Sequence, residues 1–335
     1  MNKILLSRFE GNTMKRFKNI LCIVNTDMQD TIAVEHAVKL AEKNQACLTV
    51  VEVIDEIPPN TTLFERAMSS IDLQAEIIAE HQKRLQKLVS PWGQKVEIKT
   101  KVLTGILFLE VIYEVLRNGH DLVFKTTDSG VLLNRVFGSD DMHLLRKCPC
   151  PVWLVKPESP KVYQKILAAV DVDDDYPQEE LITRHLLIQQ ILKMASSLAI
   201  SECADLHIIH AWLAKYEGAM RDAFIARPEE EVATYVESVK LRHALNLDEK
   251  IDNLEKGVLG CIKPKKHLIK GDPRIEIPAF SKEIKADLLV MGTVARTGLS
   301  GFFMGNTAET ILNQLDCSVL AIKPPGFKTP VTLDK

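Results

Sequence analysis

The chain is written twice. KNILCIVNTD (18–27) is matched by QKILAAVDVD (164–173): a lysine, a short apolar run, then an amide or acidic residue. AVKLAEKNQACLTVVEV (37–53) runs parallel to MASSLAISECADLHIIHAW (194–212). HDLVFKTT (120–127) matches ADLLVMGT (286–293), and CPCPVWLVKP (148–157) matches LDCSVLAIKP (315–324). Correspondences kept in the same order define two copies, 15–157 and 161–325, joined around ESPKV (158–162). The offset grows from 146 residues (164 against 18) to 167 (315 against 148), so the second copy carries insertions. One lies in or before 229–245, with DEKIDNLEKGVLGCIKPKK (248–266) as part of it.

Each copy alternates strand and helix. ILCIVN and ILAAVD are short, continuously apolar strands, as expected where helices cover both faces of a sheet. CLTVVEVI and DLHIIHAW read as second strands, VEIKTKVL and HLIK as third, DLVFKT and DLLVMGT as fourth, PVWLVK and SVLAIK as fifth. Apolar residues at helical spacing mark 30–44 and 179–199. A long amphipathic helix over 73–92 stops near Ser90–Pro91, and 231–245 takes its part in the second copy. The right-handed crossover rule turns this order into an open parallel sheet in each half, an α/β fold. Ligands of such sheets bind at the carboxyl ends of the strands.

At 335 residues there is length for two domains, and 46% apolar residues suffice for two cores. A net charge of −3 gives no electrostatic reason for a nucleic-acid partner, and the basic run KPKKHLIK (263–270) reads as a solvated strand entrance. No apolar run approaches the roughly 20 residues of a membrane span, and the N-terminal stretch lacks a secretory pattern; no membrane role and a cytoplasmic location are expected. Residues 1–13, ahead of Met14, read as a frayed tail. Seven cysteines are scattered, and the Cys148–Pro149–Cys150 pair lacks the second pair a zinc site needs.

The segment VMGTVARTGLSGFFMGNTAE (290–309) has the layout of an anion cradle. A strand ends at Gly292, and Gly305–Asn306–Thr307 opens a helix whose free N-terminal donors face the same side. No Walker motif occurs. The plain alternative is that Gly292, Gly298, Gly301 and Gly305 serve tight turns while Asn306 or Thr307 caps a helix.

With two copies of this strand pattern and Gly292 thirteen residues ahead of Gly305, nearly all of 15–325 resembles the universal stress protein family. Its ATP-binding members carry a glycine, two residues, a second glycine, nine residues, then glycine and serine or threonine. An aspartate after the first strand meets the adenine. On that resemblance the second copy matches at Asp171, Gly292 and Gly305 and departs at Ala295 and Asn306, with Thr307 beside them at the helix start as a further candidate. Asparagine still offers an amide, whereas alanine is unsuited to a positive φ. In the first copy, counting back from Gly138–Ser139 puts Lys125 and Asp128 at the two earlier glycines, with Asn25 at the aspartate's place. Asp128 repels phosphate, and the plain reading pairs Lys125 with Asp128 on the surface. The resemblance further implies Rossmann-like sheets of order 3-2-1-4-5, paired about an intramolecular pseudo-twofold with the fifth strands as meeting edges. It also implies a cytoplasmic role in stress tolerance, including survival of DNA damage.

No catalytic series emerges. Asp171–Asp175 with Glu179 and Glu180 reads as a hydrated, helix-capping run rather than a metal site. His207 and His210, three apart on a strand, point to opposite faces. Ser139, Ser300 and Thr307 have no evident base. The expectation is a non-catalytic stress-response protein that requires no cofactor and responds to a ligand. Its alternatives are weak ATP·Mg binding or slow ATP hydrolysis in the second copy, and an apolar-ligand or partner-binding module built on 64–78 and 217–236. A homo-oligomer or a protein partner is compatible with each.

Overall fold

The computed structural model describes residues 17–28, 31–58, 70–127, 137–222, 226–255, 262–298 and 301–333, without the side chains of 28, 254, 255, 294–298 and 301–303. It divides into two compact units. One runs to Lys161 and takes in the stretch from Lys328, and the other spans Val162–Phe327.

In the first unit the elements are β1 (Asn19–Ile23), α1 (Ile32–Asn44), β2 (Cys47–Ile54), α2 (Ser70–Val89), β3 (Ile98–Thr104), α3 (Leu107–Asn118), β4 (Leu122–Thr126), α4 (Ser139–Lys147) and β5 (Val152–Val155). The strands pair in parallel in the order β3-β2-β1-β4-β5. Apart from their first residues, β1 and β2 are buried almost throughout, whereas the outer β3 alternates, as helices on both faces require. A 3₁₀ turn at Ser90–Trp92 ends α2 where proline removes a donor.

The second unit repeats the plan with β6 (Lys165–Ala169), α5 (Gln178–Glu202), β7 (Asp205–Trp212), α6 (Glu217–Arg221), α7 (Glu229–Glu255), β8 (Lys265–Lys270), α8 (Pro273–Glu283) and β9 (Leu288–Gly292). A hairpin, β10 (Val294–Gly298) and β11 (Gly301–Met304), leads to α9 (Asn306–Leu312) and β12 (Ser318–Ile322). Its parallel order β8-β7-β6-β9-β12 is again third, second, first, fourth, fifth. The chain is thus a tandem of Rossmann-like α/β sheets. The inserted length is partly helix: α7 continues to Glu255, beyond the expected end at 245, while 256–261 lie outside the described residues.

The repeat extends to single hydrogen bonds. The Asp121 carboxylate accepts from the Lys18 and Asn19 amides (2.6 and 3.1 Å), and Asp287 from those of Gln164 and Lys165 (2.6 and 2.9 Å). Each aspartate pins the fourth strand to the first, which is why both copies read Asp-Leu at that point. Among the described residues no helix is long and apolar enough to cross a membrane, and no cluster of His, Cys, Asp and Glu is arranged to hold a metal.

Candidate functional site

A cavity of about 370 Å³ opens at the carboxyl ends of β6, β7 and β9 in the second unit. Asp171, Gly292, Gly305 and Thr307 all line it, as the strand-end rule anticipates. Its wall is apolar: Leu187, Ile188 and Ile191 from α5, Ile277 from α8, Met291 from β9, Ile311 from α9. Its polar groups come from Asp171, Tyr176 and Arg184, and His210, Trp212 and His243 line it as well. Asn306 heads α9 but is exposed and not among the lining residues, so the position compared with a hydroxyl does not face the cavity.

Gly292 has a packing reason of its own. A Cβ there would lie 2.7 Å from Leu187 Cδ2 and 3.3 Å from Leu187 Cγ, so Leu187 of α5 packs directly on the glycine and must shift if a side chain is added. Gly305 precedes α9 with φ −73° and ψ 142°, a conformation open to any residue, and no side chain caps the helix. Its N–H donates to the Thr293 carbonyl (3.1 Å), while the buried Lys323 Nζ donates to Thr293 Oγ1 (2.9 Å). Thr293 therefore ties β9, the end of β12 and the start of α9 together. Gly298 and Gly301 face each other across the β10–β11 turn, in keeping with a plain turn role. Ala295 lies in β10 where the register shifts between Val294 and Arg296; its side chain is outside the described residues.

Asp171 is already engaged. Its Oδ2 accepts from Tyr176 Oη (3.0 Å) and Arg184 Nη1 (2.9 Å), and its Oδ1 from the Asp173 amide (3.2 Å). The Arg184 guanidinium stacks 3.4 Å over the Tyr176 ring. Burial, reinforced by the Asp171 charge, pushes the Tyr176 phenol up to about 12, so it remains a donor at neutral pH. Beside it, burial works to raise the Asp173 carboxyl, but the Asp175 amide and the Lys215 ammonium outweigh it and hold the group below its ordinary value. Asp171 thus acts as acceptor for three donors at the strand exit. Sequence reasoning missed Tyr176 and Arg184, whose side chains reach Asp171 from five and thirteen positions along the chain with no motif to mark them.

The first unit differs at the corresponding place. Strand register aligns Ile20 with Leu122 and Ile166 with Leu288, so Lys125 corresponds to Met291, and Thr126 to Gly292. Counting back from Gly138 therefore misplaces Lys125 by one residue, because the loop before α4 is one residue shorter in strand register. Nor does Lys125 lie at the surface. It is buried and contacts Asp141 Oδ1 at 2.9 Å, while Asp141 Oδ2 accepts from the Gly138 amide at 3.1 Å. The N-terminus of α4 thus receives an anion that belongs to the chain. Gly138 and Ser139 sit at that start, and Asp128 lies outside the described residues. Asn25 Oδ1 accepts from the Asp27 amide (2.9 Å), the same turn that Asp171 makes with Asp173.

Cys148 and Cys150 are buried with their Sγ atoms 3.6 Å apart; their mutual contact and burial push the Cys150 thiol well up, away from a reactive thiolate.

A model of the universal stress protein family matches residues 16–156 and again 163–323. Universal stress protein E of Salmonella typhi is 30% identical over 335 residues, covering 96% of this chain and 99% of that one. The universal stress protein E homolog of Haemophilus influenzae is 29% identical over 320 residues, covering 92% and 98%. Among solved structures, a protein of unknown function from Pseudomonas aeruginosa PAO1 superposes with a TM-score of 0.64 at 25% identity, covering 93% of this chain and 95% of that one. A universal stress protein from Archaeoglobus fulgidus shares the fold with a TM-score of 0.58 at 17% identity over 91% and 98%. Two matched copies across one continuous chain leave no ambiguity about descent: the protein belongs to the universal stress protein family.

Proposed function

We propose that the chain is a non-catalytic, cytoplasmic stress-response protein, contributing to stress tolerance including resistance to DNA damage, whose second copy is its ligand-responsive half. The observation that carries this reading is the convergence of Asp171, Gly292, Gly305 and Thr307 on one cavity, against a first copy whose helix start is neutralised by Asp141. The ligand it favours is a nucleotide with its phosphates toward the bare start of α9 and its base toward Asp171, escorted by Mg²⁺ and bound weakly. Titration with ATP and Mg²⁺ followed by calorimetry is expected to show one binding event, lost in Gly305→Asp, where a carboxylate faces the phosphates. Absence of heat at about millimolar ATP, a Kd range worth only about 4 kcal/mol, sinks this ligand.

Because Arg184 and Asp171 are partly exposed, their ion pair is worth about 0.2–1 kcal/mol. Arg184→Met, which removes one of the three donors to Asp171, is therefore expected to raise nucleotide affinity by no more than about fivefold. A second reading, an apolar small molecule, is favoured by the wall of Leu187, Ile191, Met291 and Ile311. That wall belongs to the cavity at the glycine turn, not to a separate one on the inserted helices. Native mass spectrometry of protein purified from cells separates the two readings by the mass of what is retained.

A further inference from the structure

His210 and His243 form a buried pair on the wall of the same cavity, one from β7 and one from α7, with His210 Nε2 and His243 Nδ1 3.0 Å apart. The buried stripe of α7 runs Val232, Val239, His243, Leu247, Ile251, and His243 is the one titratable side chain among these described buried residues of the helix. His210 Nδ1 lies 3.1 Å from the Val170 carbonyl and 3.5 Å from the Val172 amide; the shorter contact makes Nδ1 a donor and leaves Nε2 as the acceptor for His243. Such a pair accommodates a first proton on His243 Nε2. A second proton removes the only acceptor and places two cations in contact.

The first copy supplies an internal control. Residue 52 follows Cys47 by five positions and residue 210 follows Asp205 by five, and Cys47 and Asp205 face equivalent first-strand residues, Asn19 and Lys165. The counterpart of His210 is therefore Glu52, and the buried Glu52 meets His81 of α2 at 3.0 Å. The same strand–helix contact is carboxylate–histidine in one copy and histidine–histidine in the other. The histidine–histidine contact has a single acceptor to lose, whereas the Glu52 carboxyl always presents an acceptor oxygen to His81.

We infer that acidification releases α7 from β7 and so opens the cavity of the second copy, while the first copy keeps α2 in place. The inference deepens the reading of the cavity as the responsive site but stands on the pair itself, whatever the ligand. Charged groups face the pair from each side. Asp171 and Asp173 at the exit of β6 favour its protonation, with Lys215 beyond β7 paired to Asp173 and Asp175, and Arg242 on α7 paired to Asp174. From α5, Arg184 is held by Asp171 and Glu180. Burial lowers both histidines below their ordinary 6.5, and the proximity of His210 adds to this at His243. A depressed histidine means the folded state refuses protons that the unfolded chain binds. The stability held by the neutral pair is therefore complete above pH 6.5 and declines as pH falls below it.

Hydrogen exchange of the full chain at pH 7.5 and 5.5, corrected for the intrinsic rate, tests this. Protection of α7 is expected to fall at least tenfold in acid while that of α2 holds, and His210→Glu, which copies the first-copy pairing, is expected to abolish the loss. His243→Asn, which keeps a donor near the same place but cannot titrate, is the second variant should the first fail to fold. Unchanged protection of α7, equal loss in α2, or equal loss in both variants overturns the inference. ATP titration at pH 7.5 stands apart from all of these outcomes, so failure of the nucleotide reading is recognised separately.

Discussion

Asp141→Asn is expected to lower the stability of the first unit by about 3–5 kcal/mol, because it removes the charged member of a buried ion pair with Lys125. Lys125 and Asp141 are both buried, at 4% and 0% exposure, so their attraction is little screened by water. The amide can still accept from the Gly138 N–H, which separates loss of charge from loss of the helix cap. Adding Lys125→Met is expected to recover most of the loss, since apolar packing commonly equals or betters a buried ion pair. The measurement is denaturant unfolding read from Trp153, which is buried in β5 of this unit, with Trp212 reporting the other. A loss under about 1 kcal/mol for Asp141→Asn, the level of an exposed pair, contradicts the assignment.

The second large effect concerns Gly292. A valine there meets Leu187 and, at 3.5 Å from the new Cβ, Ile191, so α5 must tilt or its side chains must leave their rotamers. Overpacking of this kind costs about 1–3 kcal/mol. The φ of Gly292 lies outside the left-handed region, so the cost is one of space and not of backbone strain. Leu187→Ala in the same chain is expected to return part of it, with a coupling of about 0.5–3 kcal/mol opposite in sign to the single losses. Strict additivity in Trp212-detected unfolding refutes the packing account. If nucleotide binds, Gly292→Val also weakens it, and Leu187→Ala distinguishes a blocked cavity from a displaced helix.

The same residue shows what the amino-acid order could and could not convey. Strand positions were legible because each sheet needs its apolar runs at fixed places, and a chain that states the pattern twice removes the ambiguity of a short run. Gly292 was legible as a special position, yet its neighbour Leu187 is a hundred residues away in chain order, so the reason for the glycine was hidden. The hairpin Val294–Met304 gave no alternation strong enough to read through its glycines. Counting from Gly138 misassigned Lys125 by one position, since loops change length freely while strand register does not. The facing of His207 and His210 to opposite sides followed from strand geometry: His207 meets His267 and His210 meets His243. Their partners, on β8 and α7, are set by packing alone.

The sealed helix start of the first copy also fixes a stoichiometry. With its own carboxylate occupying the α4 terminus, one half of the chain is saturated by covalent connection before any solute arrives. If the proposed ligand binds, a chain with two homologous halves is then monovalent, and its isotherm is expected to be a simple hyperbola with one equivalent at saturation, without the threshold that a pair of communicating sites creates.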